Sequence, residues 1–207
     1  MNILVTGATG FIGRRLVHVL HSTYGTQLTA AVRRPVLLPC ECLKVQAING
    51  STDWSTPLIN QNVVIHTAAR AHNLQDEMVD PMAKYRRVNV DGTLNLARQS
   101  AAAGVQRFIF ISSIGVNGNI NSHLFTADSV ANPSGLYAQS KWEAEQGLWE
   151  IQRETRMELV IIRPPLVYGP NAPGNFGSLM RWVEKGVPLP LGAIHNRRSL
   201  VAVDNLV

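Results

Sequence analysis

The chain has 207 residues, 45% hydrophobic and 16% charged, with 19 Lys and Arg against 14 Asp and Glu for a net charge of +5. That balance is typical of a packed globular protein, long enough for one α/β domain and part of another, and excludes disordered and fibrous classes. No apolar run reaches the roughly 18 residues of a membrane span. Eight of the 19 basic residues fall in pairs (Arg14-Arg15, Arg33-Arg34, Arg86-Arg87, Arg197-Arg198) and none in a longer block, which suits small anionic ligands and is weak evidence for nucleic acid.

Met1 to Thr6 has no basic region ahead of its apolar stretch and reads as a first strand rather than a leader peptide. Gly7-Ala8-Thr9-Gly10-Phe11-Ile12-Gly13 follows at once. The next segment, to Tyr24, repeats apolar residues at helical spacing. A glycine turn between a strand and a helix is a phosphate cradle. The first glycine permits the turn, the second lets backbone approach a pyrophosphate, and the third lets the helix pack close. The free N–H groups of the helix start then face the anion. Gly7, Thr9, Gly10, Phe11, Ile12 and Gly13 are thus the expected contacts to a dinucleotide.

Leu28 to Val32 is the expected second strand and ends in Arg33-Arg34-Pro35, with no acid before Glu41. A carboxylate here would bind the ribose hydroxyls of NAD, whereas two guanidiniums suit the 2′-phosphate of NADP. NADP is therefore the favoured cofactor, with NAD the alternative. Cys40 and Cys42 read as two reduced thiols of a cytoplasmic protein, and no histidine stands near them to complete a metal site. No metal is expected.

Leu43 to Ile48 is the expected third strand and Asn62 to His66 the fourth. Pro81 to Ala103 is one long helix, with Pro81 in its first turn and Gly104 at its cap. Phe108 to Ile111 is the fifth strand, Tyr137 to Arg156 a helix, and Leu159 to Ile162 the sixth strand. Strands apolar on both faces, alternating with helices, predict a Rossmann-like doubly wound parallel sheet with helices on both faces. After Pro164-Pro165 prolines and glycines cluster, followed by one helix, Phe176 to Lys185. The expected organisation is a dinucleotide-binding domain over 1–165 and part of a small substrate domain over 166–207. Val201 to Val207 has no polar tail, and the chain is expected to stop inside that second domain.

Tyr137 and Lys141 lie four apart on one helical face. A phenol is a poor base at neutral pH, and a nearby ammonium together with an oxidised nicotinamide favours its phenolate. Such a tyrosine can take a proton from a hydroxyl while hydride leaves the same carbon. Ser112-Ser113 ends the fifth strand, at the sheet edge where ligands bind.

In combination these motifs resemble the extended short-chain dehydrogenase/reductases of the epimerase/dehydratase type. The resemblance rests on Thr6 to Gly13, His66-Thr67-Ala68-Ala69, Asn89-Val90-Asp91-Gly92-Thr93, Ser112 to Gly118, Tyr137 to Lys141 and Arg163 to Pro170. It implies that Ser113 is catalytic with Tyr137 and Lys141. It also implies that His66, Ala68, Ala69, Asn89, Tyr137, Lys141 and Pro164 adjoin the cofactor. Asn117 stands where the family usually has tyrosine, and the family's acid for adenine has no match in 47–53.

On the substrate side, the resemblance implies that Asn175, Phe176 and Arg198, with Ser113, contact a nucleotide-linked sugar. Pro188 to Gly192 and Arg197 to Leu200 look most like bacterial enzymes acting on UDP-N-acetylhexosamines, among them 4-epimerases and 4-keto reductases. The implied assembly is a homodimer. Two other readings stand beside this one: a carbonyl reductase of a non-nucleotide substrate, and a catalytically idle NADP-binding sensor or scaffold.

Overall fold

The computed structural model describes residues 1–24, 27–71, 80–121, 123–189, 192, 193, 195 and 197–207. Six strands form one parallel sheet: β1 (Asn2–Thr6), β2 (Gln27–Val32), β3 (Glu41–Lys44), β4 (Val63–His66), β5 (Arg107–Ile111) and β6 (Glu158–Ile162), ordered β3-β2-β1-β4-β5-β6. The order reverses between β1 and β4, where Thr6 pairs with His66, and a doubly wound sheet binds ligands at such a reversal.

Side chains alternate across the strands, which explains their apolar runs. Leu4, Val64, Phe108 and Phe110 pack on one face with Leu96 of α3 (Gly92–Ala102) and Ala144 and Leu148 of α4 (Leu136–Glu154). Ile3, Val5, Val63 and Ile65 pack on the other with Leu16 and Val17 of α1 (Phe11–Tyr24). No helix of the described residues is long and apolar enough to cross a membrane.

Two elements depart from expectation. The third strand ends at Lys44 rather than Ile48, because β2 stops at Val32 and leaves no ladder beyond the Val45 N–H to Val32 carbonyl bond. The helix expected over 81–103 is broken into α2 (Pro81–Tyr85), a π-helical turn (Arg86–Asp91) and α3. At its end the Gly92 N–H reaches back five residues to the Arg87 carbonyl. Gly92 is pressed against the 48–49 backbone, where a Cβ would lie 3.1 Å from the Asn49 nitrogen.

Past Pro165 the chain forms a second, two-stranded parallel sheet from β7 (Leu166–Tyr168) and β8 (Leu200–Ala202), with α5 (Gly174–Glu184) between them and α6 (Val203–Leu206) after. Neither strand was expected. Each is three residues long and meets its partner far along the chain. This segment folds back on α1: a Cβ on Gly169 would lie 2.7 Å from Val203 Cγ1 and 3.6 Å from the Phe11 ring.

Candidate active site

The glycine turn is shaped by close backbone approach. Gly7 has φ +72°, and a Cβ there would sit 2.5 Å from the Ala68 nitrogen. At Gly13 a Cβ would sit 2.3 Å from the Gly7 carbonyl oxygen. Gly10 differs, since a Cβ would meet only the Gly7 oxygen, at 3.2 Å, and Thr9 and Gly10 are exposed. Gly10 is therefore less crowded from within than Gly7 or Gly13, and it faces outward. The Arg14 N–H to Gly10 carbonyl bond opens α1, whose first turn holds no acid. Its unpaired amides and positive end fit a pyrophosphate. Arg33 and Arg34 stand exposed just past β2, and Ala68 and Ala69 follow β4 beside the turn.

His66 and Asn89 are both buried and brace the elements around the glycine turn and α4. The His66 ring is fully buried, with Nδ1 2.6 Å from Thr6 Oγ1, Nε2 2.9 Å from Thr93 Oγ1, and Phe110 stacked 5.8 Å away. Burial first, and the Lys141 charge second, lower its pKa to about 3, so it stays neutral. Asn89, held by the π turn, accepts the Arg70 N–H at 2.7 Å, donates to the Arg70 carbonyl at 3.1 Å and to Ser140 Oγ at 2.9 Å. It ties the stretch after β4 to the helix carrying Tyr137 and Lys141.

Ser113 leaves β5 in extended conformation (φ −155°), and its Oγ accepts the Gly115 N–H at 3.1 Å. That bond uses a lone pair and leaves the hydroxyl hydrogen to donate. A Cβ on Gly115 would lie 3.3 Å from Ser113 Oγ and 3.5 Å from Ala138 Cβ, so the hydroxyl adjoins the first turn of α4. Tyr137, in that turn, is half-buried with its ring edge-on to Tyr85, centroids 6.5 Å apart. Burial, then Tyr85, pushes the phenol pKa up.

Lys141, one turn on, is 1% exposed, and its ammonium lies 3.8 Å from the Phe110 ring centre. Burial lowers its pKa to about 7, with Glu145 opposing. Among the described residues no hydrogen bond engages the ammonium. After burial, the neighbour that shifts the phenol is Tyr85 and the one that shifts the ammonium is Glu145.

Pro164 is buried, and its carbonyl accepts the Ile114 N–H at 3.0 Å, which joins the β6 exit to the Ser113 turn. Asn117 is buried too, donating to the Ser129 carbonyl at 2.9 Å and accepting from Arg163 Nη1 at 3.3 Å. Phe176 packs 5.6 Å from Tyr168, and Arg198 is exposed before β8. The Asn175 side chain lies outside the described residues.

Ser112, Ser140 and Arg163 lay within the quoted motifs but were given no role, and Glu145 was not singled out; three of the four are buried and Arg163 is half-buried. The one available signal was Glu145, which extends the four-residue spacing of Tyr137 and Lys141. Past β3 a cleft of about 380 Å³ opens between Lys44 and Pro57. Its far loop is shaped by Asn95 and Gln99, which donate to the Thr52 carbonyl at 2.7 and 2.8 Å. A larger cavity, about 490 Å³, opens at the opposite strand ends among Met1, Gln106 and Met157, away from all of these groups.

The sequence profile described as "NAD dependent epimerase/dehydratase family" matches residues 3–207. The chain is 48% identical to UDP-glucose 4-epimerase of Vibrio cholerae, over 100% of its own length and 64% of that protein. It is 29% identical to N-acetyl-alpha-D-glucosaminyl-diphospho-ditrans,octacis-undecaprenol 4-epimerase of Escherichia coli O157:H7, over 100% of this chain and 61% of that one. It thus spans less than two thirds of either relative. Among solved structures, MoeE5 in complex with UDP-glucuronic acid and NAD superposes with a TM-score of 0.84 at 26% identity, covering 100% of this chain and 69% of that one.

Proposed function

We propose, because the chain belongs to the NAD dependent epimerase/dehydratase family, that it holds NAD(P) against Ser113, Tyr137 and Lys141 and moves hydride at a sugar carbon of a UDP-linked hexose or N-acetylhexosamine, at C4. One observation carries this. The Ser113 hydroxyl, with a hydrogen left to donate, adjoins the α4 turn bearing Tyr137 at the exit edge of the sheet that also carries the glycine turn.

A bound nicotinamide would supply the hydride acceptor and donor. The residues would do the rest. The Gly10 N–H is used within the turn, on the Gly7 carbonyl at 2.9 Å, so the amides of Phe11 to Gly13 at the start of α1 would hold the pyrophosphate. Ser113 would donate to the sugar oxygen, while Tyr137 takes its proton on oxidation and returns it on reduction. The Lys141 ammonium, with no hydrogen bond among the described residues, would turn toward the nicotinamide ribose and the phenol. The cleft past β3 would take the adenine.

The names of the two 4-epimerases favour epimerisation, in which hydride returns from the same cofactor, over net reduction of a 4-keto sugar. Exposed Arg33 and Arg34 support NADP(H), whereas MoeE5 is described with NAD. Native mass spectrometry of the purified protein would show the bound dinucleotide, any UDP-sugar and a monomeric or dimeric mass together. In turnover with UDP-glucose or UDP-N-acetylglucosamine, an epimerase forms product without net change in reduced nicotinamide, and a reductase consumes it. Tyr137→Phe is expected to lower turnover by roughly 10²–10⁴-fold while the dinucleotide is retained. Undiminished turnover in that variant would overturn the mechanism.

A further inference from the structure

Tyr137, Lys141 and Glu145 lie four residues apart along one face of α4. Glu145 is fully buried, and a carboxylate away from water is costly unless its oxygens are met. Two other elements meet them. Ser112, next to Ser113 at the β5 exit, donates its hydroxyl to Oε1. Arg163, next to Pro164 at the β6 exit, lays its guanidinium across the carboxylate, with Nη2 2.6 Å from Oε2 and Nε 3.1 Å from each oxygen. Through Asn117 the same guanidinium reaches the Ser129 carbonyl, in the segment leading to α4.

The surroundings of Lys141 make this carboxylate matter electrically. His66, from β4, is neutral and bonded to two threonines. From α2 comes the phenol of Tyr85, and from α4 that of Tyr137. Arg163, from β6, is already engaged by Glu145. In the π turn Arg86 pairs with Glu143, two positions from Lys141 and so on another face of the helix. In α3 Arg98 is exposed, and the 3₁₀ turn over Ile114–Val116 has no titratable side chain. Among the described residues, Glu145 is the carboxylate that acts on the ammonium.

We propose that Glu145 is a positioning residue of the Ser113–Tyr137–Lys141 site, its carboxylate clamping α4 to the exits of β5 and β6 and supplying the counter-charge that keeps Lys141 an ammonium. The proposal rests on that cluster being the reacting site. A clamp alone would not need a charge, since buried ion pairs are often replaceable by apolar groups. The counter-charge is what distinguishes the two roles.

The chain has four lysines, Lys44, Lys84, Lys141 and Lys185, so carbon-13 NMR of the lysine Cε atoms resolves Lys141, assigned by its loss in Lys141→Arg. In Glu145→Gln the Lys141 midpoint moves to lower pH by about half a unit or more, a roughly threefold loss of proton affinity. An unmoved midpoint overturns the proposal. Glu145→Gln leaves Arg163 short of a partner and risks unfolding, so Glu145→Asp is the second variant. It keeps the charge and shortens the reach. Its midpoint stays at the parent value while kcat falls about tenfold with KM little changed, and a midpoint that drops as for glutamine overturns the proposal. The NMR midpoint needs no substrate. Absence of turnover in the parent protein therefore counts against the proposed function, while the midpoint still decides the role of Glu145.

Discussion

Around β1 and α1 the ligand-facing geometry is held by backbone and by missing atoms: at Gly13 a Cβ would be 2.3 Å from a carbonyl oxygen. Around β5, β6 and α4 it is held by filled space, with the fully buried Glu145 carboxylate gripped by Ser112 and Arg163. The first arrangement needs no charge and tolerates no added carbon. The second tolerates changes of shape better than the loss of one partner, because removing one strands a buried ion. A fixed polyanion contact can be built from amides alone, but a group that must exchange a proton needs its electrostatics set by side chains.

Gly13→Ala tests the first region hardest. The methyl must displace the Gly7 carbonyl or the Thr67 hydroxyl, so dinucleotide affinity is expected to fall by more than about 100-fold, measured by calorimetry. A variant that binds as the parent does would remove the distinction between the two regions.

Lys141→Met tests the second through pH. Burial lowers the Lys141 pKa from 10.5 to about 7. Between those values the unfolded chain holds a proton that the folded chain lacks, so the folded state gains stability as pH rises across that window. The methionine variant, relieved of that cost, should melt higher at pH 7, by roughly 5 °C. The gap should close toward pH 10.5, as scanning calorimetry would show. A gap independent of pH would mean that burial does not weigh on the ammonium.

The smallest expected effect belongs to the exposed arginines. Arg33→Ala with Arg34→Ala should weaken NADP about tenfold, or roughly 1.4 kcal/mol, and leave NAD within about twofold. Equal losses for both dinucleotides would assign the pair to general attraction rather than to the 2′-phosphate.

Much of the first region was legible because its determinants are local. Gly7, Gly10 and Gly13 are neighbours in the chain, and the strand before them with a helix after is the expected context, which the structure shows. Tyr137 and Lys141 were legible for the same reason, being one helical turn apart. His66 and Asn89 were found as motif members, but their partners, Thr6 and Thr93 for the first and Arg70 and Ser140 for the second, were not, since a motif records that a residue matters and not which way it points. The π turn at Arg86–Asp91 could not be seen, because one extra residue in a helix leaves the apolar spacing nearly unchanged.

By itself the amino-acid order determined the alternation of strands and helices, the parallel sheet, the glycine turn after β1 and the Tyr137–Lys141 spacing, because hydrophobic period and steric need act between residues close in sequence. Only the tertiary structure decided that Glu145, Ser112 and Arg163 share one buried cluster, that Asn89 turns inward to Ser140, and that β7 finds β8. Those contacts join residues brought together by packing of whole elements, and their energy comes from burial that no local spacing records.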